Sequence, residues 1–155
     1  MELKIKLIDK NKKYLPKKST DGAGGWDVRV RKIDKLGNGR YICHLGFKLA
    51  PRKDYKINLR PRSSITSTNL IMQNSPGLGD SDYRGEYLII FKTLPSFKKT
   101  WWGGSKVYYE DFPYKVGDRI GQLELQRVTK IEFKICDKLP EASSRVGGFG
   151  STGNK

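Results

Sequence analysis

The Gly77–Glu86 segment holds the residues best suited to chemistry in this chain. It places Asp80, Tyr83 and Arg84 directly after a turn rich in Gly and Pro, and an apolar run follows it. A carboxylate held at the end of a rigid strand is well placed to take a proton from a water molecule. A solvated turn with a surface ion pair between Arg84 and Glu86 is the plainer alternative.

Two further segments carry groups that bind anions. Pro61-Arg62-Ser63-Ser64 offers a guanidinium, two hydroxyls and backbone N–H groups, which together suit a phosphate. A strand end followed by a helix cap is the alternative. The Gly-rich end of the chain, with Arg145, Ser151 and Thr152, can wrap phosphates through its backbone N–H groups; a disordered tail is the alternative. It is not a Walker loop, because no Gly-Lys-Ser/Thr follows.

Short strands must position these groups, because apolar residues mostly recur at every second position. Val128–Ile135 is one example, in which Ile131, Phe133 and Ile135 alternate with charged residues. Only Ser64–Met72 has room for one or two helical turns. Many short strands separated by Gly- and Pro-rich breaks predict an all-β sandwich or barrel. The other predicted strands are Leu3–Leu7, Trp26–Val30, Tyr41–Leu49, Tyr55–Leu59, Tyr87–Phe91 and Ile120–Leu125.

The segment 95–113 predicts a hairpin with a turn at Gly103-Gly104-Ser105. Its strands carry Trp101, Trp102, Tyr108 and Tyr109 among lysines. Cross-strand aromatic pairs stabilise such ribbons by ~0.2–1 kcal/mol each. The hairpin is interpreted either as a purely structural element or as a docking surface for a protein or nucleic acid.

The composition limits the classes of protein and of binding site that the chain can form. The chain has 155 residues, 31 Lys and Arg against 16 Asp and Glu, and a formal net charge of +15. That charge attracts polyanions such as nucleotides and nucleic acids. No apolar run is long enough to span a membrane, and the N-terminus lacks the apolar core of a secretion signal. Two cysteines and one histidine exclude a disulfide framework and a Cys/His zinc site.

Taken in order, five segments resemble the five motifs of the trimeric dUTPase family from Leu3 to Gly153. The family folds as a jelly-roll-like β-barrel, so the resemblance implies an all-β homotrimer in which C-terminal arms are exchanged between subunits. It also implies Mg²⁺-assisted hydrolysis of dUTP to dUMP and pyrophosphate, which keeps uracil out of DNA and supplies dUMP for dTMP synthesis. The segments are Gly24-Gly25-Trp26-Asp27-Val28, Pro61-Arg62-Ser63-Ser64, Gly77–Glu86, Gly117–Leu123 and Gly147-Gly148-Phe149-Gly150-Ser151-Thr152-Gly153.

The resemblance assigns roles to individual residues. Asp80 matches the catalytic aspartate that activates a water for attack on the α-phosphorus. Tyr83 matches the tyrosine that packs under the deoxyribose and excludes a 2′-hydroxyl. Asn74 and the backbone of Gly77 and Gly79 match the hairpin that pairs with uracil.

Phosphate and metal contacts follow in the same way. Asp27 matches the aspartate that holds a water of the Mg²⁺ shell, while the triphosphate carries most of the ion's ligands. Arg62, Arg84 and Arg119 also have structural roles open to them, as partners of carboxylates. The residues matched to substrate contacts are Arg62, Ser63, Ser64 and Gln122 in the barrel and Arg145, Phe149, Gly150, Ser151 and Thr152 in the arm, where Phe149 covers the uracil.

The chain departs from the family pattern at several of these positions. Gly79 stands where Ile or Val is usual, which predicts a looser uracil hairpin. Gly121 replaces an alanine, and Trp26 replaces a tyrosine. Arg145 stands two residues before the Gly-Gly pair rather than three. The 95–113 segment is longer than the usual connection, a kind of insert familiar among phage dUTPases.

The predicted organisation is a barrel domain over 1–140 and a flexible arm over 141–155. Two other functions stay open: a dCTP deaminase on the same fold, or a basic binding module that has lost catalysis. The expected partners are dUTP, two further copies of the chain, and a protein or nucleic acid at 95–113, with no membrane. The expected location is the cytoplasm, or the host cytoplasm or nucleus if the chain is viral, without secretion.

Overall fold

A computed structural model describes residues 2–141 of the chain, and its strands pair in antiparallel fashion. In chain order the strands are β1 (Lys4–Leu7), β2 (Trp26–Arg29), β3 (Lys32–Gly37), β4 (Arg40–His44), β5 (Phe47–Ala50), β6 (Tyr55–Pro61), β7 (Leu70–Gln73), β8 (Gly77–Gly79), β9 (Leu88–Thr93), β10 (Pro95–Lys99), β11 (Ser105–Tyr109) and β12 (Arg119–Arg127). Two short 3₁₀ helices cover Lys12–Tyr14 and Ser63–Ser67. The all-β prediction is confirmed.

Two four-stranded sheets form the body of the barrel. One has the strand order β2-β12-β6-β8 and the other β3-β4-β9-β7, while β1 pairs with β5 and β10 with β11. Both sheets contribute to one apolar cluster. Burying each large apolar side chain in it contributes about 1.5–3 kcal/mol, which holds the two sheets face to face. The largest fully buried apolar side chains are Phe47, Phe91, Leu45, Ile57 and Ile89.

The predicted strand Tyr41–Leu49 is broken in the structure. Gly46, between β4 and β5, has a φ of +79°, a backbone conformation that favours glycine. A Cβ at this position would lie 2.8 Å from Cδ of Arg31. The one or two helical turns expected within Ser64–Met72 are present as the 3₁₀ helix Ser63–Ser67, after which β7 begins at Leu70.

The predicted strand Val128–Ile135 is wrong for the single chain. β12 ends at Arg127, and no strand is found between there and residue 141. Ile131, Phe133 and Ile135 are 67%, 92% and 98% exposed. An alternating pattern forms a strand only where a neighbouring strand accepts and donates its backbone hydrogen bonds. The described part of this chain provides no such neighbour.

The 95–113 segment forms the predicted hairpin as a separate two-stranded ribbon. β10 and β11 pair from Pro95↔Tyr109 to Lys99↔Ser105. Thr100 and Gly104 close the tip, where the Thr100 N–H donates to the Gly104 carbonyl at 2.8 Å. Over residues 2–141 no helix is long and apolar enough to cross a membrane.

Candidate functional site

A pocket of about 240 Å³ lies between β8 of one sheet and β7 and β9 of the other. Its walls bring together the residues predicted to recognise the nucleoside and to activate water. This grouping joins segments that are separated along the chain by strand and turn. The predicted site residues that line it are Asn74, Gly77, Gly79, Asp80 and Tyr83.

Strand β8 positions Asp80. It is the outermost strand of its sheet and pairs only with β6, with Ile57 opposite Gly79 and Leu59 opposite Gly77. Asp80 follows directly and is exposed. Its carbonyl accepts a hydrogen bond from the Tyr83 N–H at 3.2 Å, which closes a turn. Within residues 2–141 its carboxylate has no hydrogen-bonding or ionic partner, so the group is held in place but left available.

Tyr83 is fixed on the pocket wall by its neighbours. Its hydroxyl donates to the Glu86 carbonyl at 3.0 Å. Its ring meets the Tyr87 ring edge-on, with centroids 5.4 Å apart and planes at 87°. A Cβ at Gly85 would collide with the Tyr83 hydroxyl, so glycine at that position lets the ring lie against the turn. The aromatic wall is therefore rigid before any ligand binds.

Tyr87 fills the space that Gly79 leaves, so the hairpin is not loose. A Cβ at Gly79 would lie 2.5 Å from Oη of Tyr87 and 2.6 Å from its Cε1. The Tyr87 hydroxyl is buried without a hydrogen-bond partner in the described structure. Burial raises the pKa of Tyr87 to about 12. No motif points to Tyr87, since a tyrosine in a strand pattern is most simply a core residue.

A second group of predicted residues assembles around Asp27 on β2. Its side chain is only 6% exposed. Ser19 Oγ and Arg119 Nη1 donate to its Oδ2 at 2.8 Å and 3.0 Å. Gln122 Nε2 donates to Oδ1 at 3.4 Å, and Arg62 Nε lies 3.4 Å from the same oxygen. The structural roles considered for the two arginines, as partners of a carboxylate, are confirmed.

Strand register explains why these groups meet. β12 lies between β2 and β6, so Gln122 faces Asp27 on one side and Arg60 on the other. Burial opposes ionisation of Asp27, but the hydrogen bond from Ser19 and the charge of Arg62, with the other donors, hold its pKa below the usual range. A carboxylate accepts about four hydrogen bonds. Three hydrogen bonds use most of that capacity, and the Arg62 guanidinium adds an ion pair.

Gly121 is required by close packing. A Cβ there would lie 2.5 Å from Cδ1 of Ile89 and 2.9 Å from the Arg60 carbonyl oxygen. The glycine therefore brings β12 close to β6 and to the core, which sets the position of Gln122. The usual alanine of this motif does not fit this packing.

The structure does not bring all predicted residues into one pocket. Ser63 and Ser64 are exposed on the 3₁₀ helix that follows Arg62. None of the Asp27 group lines the Asp80 pocket. Arg145, Phe149, Gly150, Ser151 and Thr152, with nearly all of the predicted arm 141–155, lie outside the described residues.

Arg84 and Glu86 have partners other than those expected from the sequence. The Arg84 guanidinium donates to the carbonyls of Ser81 and Tyr83, at 2.8 Å and 2.9 Å, and not to a carboxylate. Glu86 instead accepts from Arg31 Nη2 at 3.3 Å. The expected Arg84–Glu86 pair is therefore wrong.

Glu86 also contacts the single histidine. His44 Nδ1 lies 3.0 Å from Glu86 Oε2, and His44 Nε2 lies 2.9 Å from Asp34 Oδ2. Burial opposes ionisation of Glu86, but His44, the Gly46 N–H and Arg31 outweigh it, so its pKa lies below the usual range. This cluster ties the segment between β8 and β9 to the end of β4.

The described residues do not fit a metal centre held by the protein. Over residues 2–141 no three His, Cys, Asp or Glu side chains are arranged to hold an ion. Cys43 is buried, which raises its pKa to about 12, and Cys136 is exposed.

Comparison with known proteins gives a consistent result. The chain is 36% identical over 155 residues to a deoxyuridine 5'-triphosphate nucleotidohydrolase of Helicobacter pylori, covering 99% of this chain and 97% of that protein. A scan against protein-family models gave no match.

Solved structures share the fold. The dUTPase of Staphylococcus bacteriophage 80alpha, bound to dUPNHPP, superposes with a TM-score of 0.77 at 22% identity, covering 99% of each chain. A dUTPase from phage phi11 of Staphylococcus aureus, described for the coordination of a structural Mg(II) ion, has a TM-score of 0.66 at 16% identity, covering 91% of this chain and all of that one.

Proposed function

The chain belongs to the dUTPase family, and we propose that it hydrolyses dUTP to dUMP and pyrophosphate. One observation supports this most directly. Among the described residues Asp80 has no side-chain partner, and it lies at the rim of a pocket walled by the edge strand β8 and the ring of Tyr83. An accessible carboxylate beside a nucleoside-sized pocket is what a water-activating base requires.

The edge of β8 suits recognition of uracil. An edge strand presents backbone N–H and C=O groups that no other strand uses. Uracil offers an acceptor, a donor and an acceptor along its pairing edge, while cytosine reverses the donor and acceptor at two of these positions. Asn74, with a φ of +52°, turns the chain into this strand. We therefore assign base selection to backbone groups between Asn74 and Gly79.

The Tyr83 ring is assigned to sugar selection. It is 42% exposed on the pocket wall and is held by Tyr87 and by its own hydroxyl's hydrogen bond. A ring fixed in this way under a deoxyribose leaves no space for a 2′-hydroxyl. Because two contacts fix the ring, rejecting a ribonucleotide needs no closing movement.

In the proposed reaction Asp80 accepts a proton from water as the water oxygen attacks the α-phosphorus. The bond between the α-phosphorus and the bridging oxygen to the β-phosphate breaks, and pyrophosphate leaves with that oxygen. Arg62, Ser63, Ser64 and Gln122 are assigned to the phosphates.

Magnesium is proposed to enter as part of the Mg²⁺–dUTP substrate, where it neutralises phosphate charge. This fits the surroundings of Asp27, where three hydrogen bonds and the Arg62 ion pair leave that carboxylate little capacity to hold a metal-bound water. The assignment of Asp27 to the Mg²⁺ shell stays a prediction. The arm residues Arg145, Phe149, Gly150, Ser151 and Thr152 are proposed to cover the uracil and phosphates.

A homotrimer with exchanged C-terminal segments is the proposed assembly. Ile131, Phe133 and Ile135 are exposed on a segment without a partner strand in the described chain. An apolar groove of about 220 Å³, lined among others by Ile5 and Trp26, lies beside β1. The segment of one subunit seated on the groove of another buries both surfaces. Phe133→Asp is expected to lower the molar mass measured by light scattering from that of a trimer.

Pyrophosphate release from dUTP, dCTP, dTTP and UTP with Mg²⁺ tests the function. Release from dUTP alone is expected, because dCTP lacks the uracil pairing edge and UTP carries a 2′-hydroxyl. Thymine shares the pairing edge of uracil, and dTTP is expected to be excluded by its 5-methyl group in the tightly packed hairpin. Ammonia release from dCTP would instead identify a deaminase. No turnover of any of the four nucleotides would favour the remaining alternative, a basic binding module that has lost catalysis.

A further inference from the structure

The β10–β11 ribbon carries aromatic and cationic side chains that the proposed dUTP site does not use. It belongs to neither four-stranded sheet. At its tip Trp101 and Trp102 are 91% and 71% exposed, and their ring centroids lie 5.3 Å apart. Solvent contact on this scale is unusual for rings that strongly favour burial.

The base of the ribbon is fixed to the barrel. The Tyr109 ring lies against Gly39, where a Cβ would approach Tyr109 Cδ1 to 2.5 Å. Asn69 Nδ2 donates to Glu110 Oε2 at 2.7 Å, and Phe112 stacks on Tyr41 with centroids 4.4 Å apart. The ribbon is therefore held at its base, and its tip projects into solvent.

One face of the ribbon is cationic because of the strand register. Directly opposed residues share a face, which places Lys98 beside Lys106 and Ser96 beside Tyr108. Two like charges opposite each other destabilise a two-stranded ribbon. No salt bridge in residues 2–141 involves either lysine. An anion bound between them relieves that repulsion.

Aromatic rings adjoin this charge. Lys98 Nζ lies 4.9 Å from the centroid of the Tyr108 ring. The same ribbon thus offers ammonium groups spaced along it and flat rings at the tip. Protein interfaces enrich aromatic residues but deplete lysine, whereas proteins that bind single-stranded nucleic acid combine both.

We propose that this ribbon binds single-stranded DNA, with Lys98 and Lys106 on phosphates and Trp101 and Trp102 stacked on bases. The formal net charge of +15 brings the polyanion to the surface. Duplex DNA hides its bases within the stack and offers the rings nothing to stack on. The side chains from residue 95 to 109 include hydroxyls but no carboxylate or carboxamide, so the ribbon has no strong side-chain acceptor for a ribose 2′-hydroxyl, and DNA is assigned rather than RNA.

The test measures the anisotropy of a fluorescent oligothymidylate of about 20 nucleotides, longer than the ~4–16 nucleotides that one small binding module covers. Titrations with the intact protein run from about 50 mM to about 200 mM salt. Binding is expected to weaken steeply with salt, and to be tighter than for a duplex or for oligouridylate of the same length. No binding at the lowest salt, or equal or tighter binding of the duplex or the RNA, overturns the proposal.

Paired variants separate charge from stacking. Lys98→Gln with Lys106→Gln is expected to reduce the slope of log affinity against log salt by about 1.4, from ~0.7 per phosphate contact. Trp101→Ala with Trp102→Ala is expected to weaken binding by roughly tenfold or more at an unchanged slope, and Trp→Phe at both positions to retain most of it. An unchanged affinity in either the lysine or the alanine pair overturns the proposal.

Matched controls exclude a general charge effect. Lys10→Gln with Lys53→Gln removes the same two charges from exposed loops outside the ribbon. This pair is expected to change affinity by less than about threefold in salt that screens distant charges. A loss equal to that of the ribbon lysines overturns the assignment to the ribbon. All variants are expected to hydrolyse dUTP at the parental rate, since none lies in the proposed site.

Discussion

Two aspartates, one within a strand and one directly after another strand of the same sheet, have opposite surroundings. Asp27 on β2 is almost fully buried, accepts hydrogen bonds from three side chains and forms ion pairs with two guanidinium groups. Asp80, after β8, is exposed and has no side-chain partner in residues 2–141. The first carboxylate orders the residues around it, whereas the second is available to a water molecule. Residue type alone therefore does not decide which carboxylate performs chemistry.

Asp80→Asn gives the largest expected effect on this comparison. The amide keeps the shape of the side chain but cannot accept a proton, so kcat for dUTP is expected to fall by ~10²–10⁴-fold. Binding of a non-hydrolysable dUTP analogue and the urea midpoint should be retained, because the carboxylate has no partner within residues 2–141. Asp82→Asn is the matched control and should stay near the parental rate. A dead Asp82→Asn with an active Asp80→Asn would move the base to residue 82.

Asp27→Asn should show the opposite behaviour, with stability affected first. The change leaves Arg62 and Arg119 facing an uncharged group, and the free energy of unfolding is expected to fall by about 1–3 kcal/mol. Urea unfolding measures it. The same free energy of unfolding as in the parent would show that the cluster around Asp27 does not hold the sheet together.

The pH dependence of stability sharpens the same point. The pKa of Asp27 is lowered in the folded state from an ordinary 3.8, so its ionised form stabilises the fold. That contribution is complete above pH 3.8 and is lost as the pH falls through the lower folded-state value. Asp27→Asn is expected to flatten this part of the acid unfolding curve, followed by circular dichroism. The contribution of Glu86 to the acid unfolding curve should remain, since its pKa is also lowered from the ordinary value of 4.5. A curve unchanged in shape would contradict the assignment.

Gly79→Ala tests how tightly the pocket beside Asp80 is packed. The added Cβ would lie 2.5 Å from Tyr87 Oη, so unfolding free energy is expected to fall by about 1–3 kcal/mol and the KM for dUTP to rise. Adding Tyr87→Leu opens the space and should restore part of the loss. Additive losses in the double variant would show that the two residues do not share this volume.

Tyr87→Phe gives the smallest expected effect. It removes a buried hydroxyl that has no partner in the described structure, so unfolding free energy should stay level or rise by up to about 1 kcal/mol. Thermal unfolding measures the change. A clear loss of stability would show that the hydroxyl has a partner, such as a bound water.

Much of the architecture followed from periodicity. Alternation predicted the strands near Trp26, Tyr55 and Ile120 and the hairpin at 95–113, because a period of two places one face of a strand in the core. The same rule failed at Val128–Ile135. Alternation records which side chains are apolar, not whether a partner strand lies within the same chain. The break at Gly46 was also missed, since nothing local shows that Arg31 crosses there.

The same distinction between local pattern and tertiary contacts applies to the candidate site. The sequence by itself determined which residues the chemistry is assigned to, since Asp80, Tyr83 and the Arg62–Ser64 segment are recognised from local motifs. Only the tertiary structure decided their surroundings. It placed Asp27 among four polar side chains, paired Glu86 with His44 and Arg31 rather than Arg84, and filled the space at Gly79 with Tyr87. These outcomes depend on strand register and on close packing between residues distant in sequence, and a motif of adjacent residues contains no information about either.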